Sequence, residues 1–275
     1  MNPAVFRPSM ALLLLMMITG SAFCGEALRS PLAPDITLLV GAENFRWQEF
    51  DDNGQRLLTE QGPRYLAGLA LGNTAGRDAG AIYELLARGY AGKVDYDGQD
   101  SNAVFTSSDT SYRGWQAEFM AGYRFPSPAS MLSMEIHLAA GGEGWRRDID
   151  NSTNSLGNPV SGFVEEYSVY YGRLGVGFLW PHRWAQSRVV AGGRRPFRVD
   201  EDVDAFNITL APREQWSGYA AYELYFPTGQ GSSILRLRYD SFRFDTSKPK
   251  VIGGTSVWQP ESDLDLWGIS LGYVF

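Results

Sequence analysis

The sequence has almost no cysteine: Cys24 stands alone in 275 residues. No disulfide framework can form within one chain, and thiol chemistry rests on a residue inside the first thirty positions. Histidine is nearly as scarce, with His137 and His182 the only two, which leaves little for imidazole catalysis or a histidine-rich metal site. After the N-terminal segment no run of 18 apolar residues occurs, so no helix of the kind that spans a bilayer is encoded. Positive charge is also short. Lys and Arg number 24 against 31 Asp and Glu, a net −7, and a phosphodiester backbone needs the opposite balance, so nucleic acid is excluded as a partner.

What is abundant is aromatic and small: 13% Phe, Trp and Tyr, with 31 glycines, at a mean hydropathy of −0.22. The first residues carry Arg7, then the apolar run Met10–Ile18, then the small-residue stretch "TGSAFCGEA". That is the layout of a secretory signal, too short for a membrane helix. It assigns residues 1–24 to the signal, with cleavage as late as 27, and 28–275 to a single domain. Phe23 precedes Cys24 where a lipidation site needs a small residue, which argues against a lipid anchor.

The remainder alternates with period 2. Ten strands are expected near 36–50, 62–73, 80–96, 111–126, 131–147, 163–180, 184–199, 215–226, 233–246 and 263–275. Most exceed the roughly 9–11 residues a tilted strand needs to cross a bilayer. Connections at 74–79, 127–130, 181–183 and 227–232 are short. Those at 51–61, 97–110, 148–162, 200–214 and 247–262 are mostly longer and polar. Strict alternation of short and long connections predicts an all-β fold, a closed antiparallel up-and-down transmembrane barrel with tight periplasmic turns and external loops. Aromatics reinforce it: Tyr123, Phe125, Trp180, Trp184, Phe226, Tyr273 and Phe275 gather at the short-turn end, where amphipathic rings suit a headgroup layer. Bulges are expected near Trp145 and Phe242.

The last strand, "WGISLGYVF", sets Trp267, Ile269, Leu271, Tyr273 and Phe275 on one face and ends on Phe. Here the chain resembles the Gram-negative outer-membrane β-barrels, in which such a strand is the signal read by the barrel-assembly machinery. The resemblance runs from about Ile36 to Phe275. It implies residence in the bacterial outer membrane, with outer-membrane lipid, lipopolysaccharide and the assembly machinery as partners. It is silent on activity.

The opposite faces place Glu84, Arg88, Glu118, Arg124, Glu135, His137, Arg173, Arg188, Arg194, Glu223, Arg236, Arg238 and Asp240 in the presumed lumen. Both signs are present, and a barrel of this size is barely wider than its own side chains. An ion-pair network closing the lumen is the expectation, and an arginine-lined path for small anions the alternative. A barrel hydrolase is the third reading, and the residues disfavour it. Lipid A deacylases use His with Ser two positions on and a Glu, but the position after His137 that should hold Ser is Ala139. The ten-stranded omptin proteases are similar in architecture, and Asp95 and Asp97 resemble their first Asp pair. The second pair, Asp with His, has no counterpart. Asp200, Asp202 and Asp204 alternate as at the start of a calcium loop, but Ala205 and Ala211 stand where Gly and Glu are required, so they remain weak metal candidates. No catalytic residue and no cofactor is assigned. The expected role is a non-enzymatic scaffold whose external loops bind a surface ligand or stabilise the envelope.

Overall fold

A computed structural model describes residues 34–75, 79–100, 103–126 and 132–275. The signal segment, Cys24 and the turn at 127–130 lie outside the described residues. Ten long strands form the molecule: β1 Asp35–Phe50, β2 Arg56–Gly72, β3 Gly80–Gln99, β4 Phe105–Phe125, β5 Ser133–Ile149, β6 Val164–Pro181, β7 Gln186–Val203, β8 Ser217–Pro227, β9 Ser232–Asp245 and β10 Glu261–Val274. Each pairs antiparallel with its sequence neighbour, and β1 pairs with β10 from Thr37↔Val274 to Phe50↔Glu261, so the sheet closes. Closure removes both sheet edges, which an open sheet cannot do in hydrocarbon. No described helix is long and apolar enough to cross a membrane; the crossing is made by strands.

The outward face carries a continuous apolar band: Ile36, Leu38, Val40, Leu69, Leu85, Phe119, Ile136, Leu138, Leu174 and Val176 are all exposed. Two aromatic rings bound it. At the end of the tight turns lie Tyr123 against Phe125, Trp184 stacked on Phe226, and Tyr273 against Phe275. At the other lie Tyr65, Trp115, Tyr170, Phe197, Trp216 and Trp267. From Trp267 to Phe275 is about 26 Å of strand, or about 20 Å of membrane normal once tilted. The strands do not stop at the outer ring: β4 begins at Phe105, ten residues beyond Trp115, so the barrel wall projects well past the apolar band on that side.

This projection is where the sequence reading needs correction. The connections placed at 51–61 and 97–110 are mostly strand: β2 starts at Arg56 and β4 at Phe105. Beyond the membrane the outward face is polar, so the hydrophobic alternation that marks a strand inside lipid fades. The longer connections are built rather than irregular. Ser152–Asn154 pairs with Pro159–Val160 and with β4, Ile208–Leu210 pairs with β7, and Lys250–Ile252 forms a hairpin with Thr255–Val257. Register shifts fall at Glu49/Phe50 and Tyr170/Tyr171, not at Trp145 and Phe242. Both of those point inward without a break, because the luminal core holds them.

Candidate functional site

The lumen is packed in four layers. Lowest, at the periplasmic end, Leu39, Leu86, Tyr225, Ile234 and Val274 form a small apolar cluster.

Above it lies a charge network. Glu135 accepts from Arg124 on one oxygen (3.0 and 2.7 Å) and from Arg188 on the other (3.0 and 2.6 Å). Arg188 continues to Glu223 at 2.9 Å, and Glu223 pairs with Arg236 at 2.8 Å. Arg236 stands 3.7 Å from Glu84. Arg173 joins Glu118 (2.9 Å) to Asp240 (2.6 Å), and Arg194 and Arg238 also hold Asp240. Arg88 contacts Gln116 and, at 3.4 Å, Glu43. The side chains assigned to the lumen thus meet one another in chains that cross it. His137 joins through Tyr219 (2.7 Å to the hydroxyl), its other ring nitrogen 3.6 Å from Glu135. The free space here is a cavity of about 70 Å³ bordered by Glu118, His137, Arg173, Arg188 and Tyr219.

The third layer is aromatic. Phe45, Trp47, Tyr90, Tyr112, Trp145, Tyr167, Tyr171, Phe242 and Phe244 are buried together with Val169, Val199 and Leu266. Trp145 stacks on Tyr167 with centroids 4.8 Å apart, and Phe242 on Phe244 at 5.8 Å. Arg64 is inserted between Phe45 and Tyr90 at 4.3 and 4.1 Å, in cation–π contact, and ends on Glu43. Such contacts let a guanidinium stay charged while desolvated.

The fourth layer lies beyond the outer aromatic ring. Arg147 binds Glu49 (3.2 Å), Glu60 (3.0 Å) and Glu165 (2.5 Å). Glu60 accepts further from Thr110 (2.7 Å) and Tyr112, Glu49 from Trp47 Nε1 (2.9 Å), and Glu165 from Tyr167 (3.4 Å). Glu201 sits beside them, and neither of its carboxylate oxygens has a hydrogen-bond partner. One guanidinium therefore binds three buried carboxylates, with a fourth beside them. Burial raises the Glu165 carboxyl to about 7 and pushes Glu201 up as well, with Glu49 adding its charge in both cases. A buried acid without enough cations keeps its proton.

Most of the third and fourth layers escaped the sequence reading. Glu60 and Glu201 fall in segments read as loops, and Arg147 closes a strand whose outer half is polar on both faces. The available signal was "FRWQEF", in which Phe45, Trp47 and Glu49 alternate and all turn inward. The other candidates are dispersed. Asp95 and Asp97 point outward from β3, away from the lumen. His182 bonds Ser187 in a periplasmic turn. Asp200 is held by Arg198 (2.6 Å), Asp202 by Thr209, and Asp204 accepts the Val164 amide (2.9 Å). Among the described residues no group of three or more His, Cys, Asp or Glu is arranged to hold a metal ion. Trp267, Ile269, Leu271 and Phe275 face outward on β10.

A closed ten-stranded barrel with a lipid-facing band between two aromatic rings defines an integral protein of the bacterial outer membrane. Comparison with solved structures agrees. The chain is similar to the outer membrane protease OmpT from Escherichia coli at 10% identity and a TM-score of 0.54, covering 89% of this chain and 96% of that one. It also matches the transport unit of the autotransporter AIDA-I from Escherichia coli (8%, 0.42, 92% and 93%) and an outer membrane channel from Pseudomonas putida F1 (9%, 0.41, 93% and 100%). No family model and no curated protein matches the sequence. At these identities the likeness is one of fold.

Proposed function

We propose that this protein is a non-conducting, non-enzymatic barrel that holds its extracellular end rigid as a surface for ligand binding or envelope stabilisation. The observation that carries this reading is the filled lumen, packed from Leu39 at the periplasmic end to Glu201 at the outer end with a cavity of only about 70 Å³ in the charge network. A hydrated ion needs a continuous water column, and across the aromatic layer Phe45, Trp47, Tyr112, Trp145, Tyr167 and Phe242 are buried against one another. The acid–base candidates read from the sequence are held by other groups: Glu135 by two arginines and His137 by Tyr219. The likeness to OmpT, whose name describes a protease, brings no histidine to the outer rim.

Refolded protein in a planar bilayer tests it. Silence from the native chain is expected. Steps of discrete conductance that shift with Arg188→Ala and Arg236→Ala would overturn it in favour of a narrow ion path. Deleting the hairpins at 148–162 and 247–262 is expected to alter surface binding or detergent sensitivity while leaving the barrel folded. No change in either would remove the external end from consideration.

A further inference from the structure

Just beyond the outer aromatic ring, the outward face carries an arrangement that luminal packing does not explain. Cross-strand register brings Tyr65, Ala91, Arg113, Arg146, Glu166 and Asp202 into one row over β2 to β7. The row beneath it is Ala67, Gly89, Trp115, Gly144 and Ser168. Its small residues make a shallow groove of about 1020 Å³. Trp115 lies across the β5 glycines: a Cβ on Gly144 would sit 2.8 Å from its Nε1, and one on Gly142 would sit 3.6 Å from its ring.

Arg113 and Arg146 stand directly opposite each other in this row, where like charges destabilise a sheet. Arg146 is compensated by Glu166 (3.1 Å) and Asp148 (3.4 Å). Arg113 is exposed and makes no ion pair or side-chain hydrogen bond among the described residues. Two outward cations along the same wall do, Lys93 bridging Asp109 and Asp150 and Arg46 binding Asp265, while Arg195 rests on the Trp216 ring.

Depth separates Arg113 from the carboxylates of its own row. Strands tilt, so the row climbs away from the membrane toward β7. In β2 it passes through Tyr65, a member of the aromatic ring. In β4 Arg113 is two residues beyond Trp115, whereas Glu166 is four beyond Tyr170 and Asp202 five beyond Phe197. Arg113 therefore lies nearest the headgroups, with Arg146 and its partner Glu166 above it and Asp202 furthest out.

We propose that Arg113 and Arg146 bind the phosphate of a phosphorylated outer-leaflet lipid, whose acyl chains run down past Trp115, Phe119 and Leu85. The anion relieves the Arg–Arg repulsion, and guanidinium groups suit phosphate oxygens. Glu166 and Asp202 exclude it from the water side, so it enters from the leaflet. This assignment depends on residence in the outer membrane and is independent of whether the lumen conducts.

The test uses the chain lacking residues 1–27, refolded into phosphatidylcholine vesicles doped with either lipid A or its fully dephosphorylated form, then extracted and examined by native mass spectrometry for retained lipid. The native chain is expected to keep the phosphorylated lipid and not the other. Arg113→Ser should lower retention roughly tenfold, the loss of one charged hydrogen-bonding group. Arg113→Lys should keep more than Arg113→Ser, and Arg198→Ser, an exposed arginine already paired with Asp200, should change nothing. Equal retention by Arg113→Ser, or equal retention of dephosphorylated lipid, overturns the proposal. Displacement of the lipid by inorganic phosphate alone would reassign the pair to a free anion and overturn it too. Because Arg113 is exposed and has no ion pair among the described residues, its single variants fold even where the Arg113→Ser/Arg146→Ser double does not.

Discussion

Raising the pH from about 5 to about 7 should weaken this barrel, against the usual expectation that salt-bridged carboxylates gain from ionisation. The cause is the outer layer, where Glu49, Glu60 and Glu165 share Arg147 and Glu201 is buried beside them without an ion pair. Glu165 is fully buried, and its carboxyl moves from an ordinary 4.5 to about 7, first through desolvation. An acid whose folded value is raised holds a proton that the unfolded chain has already released. Between about 4.5 and about 7 the native state binds more protons, so stability falls as pH rises through that window. A shift of that size corresponds to about 3 kcal/mol. Glu201 adds to the loss in the same direction. Urea unfolding in lipid vesicles, followed by circular dichroism across this range, gives the slope directly. Glu165→Gln with Glu201→Gln should flatten it and make the protein more stable at pH 8 than the native chain. A native profile that is flat or rising from 4.5 to 7, or a double variant that keeps the native slope, would refute the reasoning.

Three further outcomes are expected. Arg147→Met leaves the four carboxylates without a cation and should cost about 3–5 kcal/mol at neutral pH, measured in the same urea titration. Trp47→Ala, removing a ring packed against Trp145, Tyr167 and Phe244, should cost about 3–5 kcal/mol. It should still leave planar bilayers silent, because the charge network below closes the lumen on its own. Phe275→Ser touches neither luminal layer and should refold normally in vitro; a lower outer-membrane level in cells, seen on gels of membrane fractions, would mark the last strand as an assembly signal.

The lipid-spanning part of the barrel was legible because lipid imposes a strict rule on every second residue. Leu132, Met134, Ile136 and Leu138 alternate with Glu135 and His137, and no other secondary structure suits that pattern. The short turns and the strand count follow from the same rule. Past Trp115 and Tyr65 the rule lapses: Thr106, Thr110 and Glu60 face inward while Ser107, Asp109 and Gln61 face water, so both faces are polar and nothing separates strand from loop. Which luminal charges meet was equally hidden, since the partners of Glu43 come from β2, β3 and β9, and pairings that distant depend on barrel tilt. The arginine row on the outer face needed the same knowledge of register.

Glu43 carries one more consequence. Its carboxylate sits on β1, the strand that forms the seam with β10, and is held by Arg64 and Arg88 on one side and Arg238 on the other, across the seam. A half-assembled, C-shaped sheet would offer it the first two but not the third, and would leave Arg238 stranded with Asp240 alone. Closing the cylinder is therefore a ratchet: the final hairpin gains nothing by docking loosely, and once Arg238 reaches Glu43 the wall cannot unzip at its own joint without separating buried charges. The weakest line of any rolled sheet is its seam, and here it is riveted from the inside.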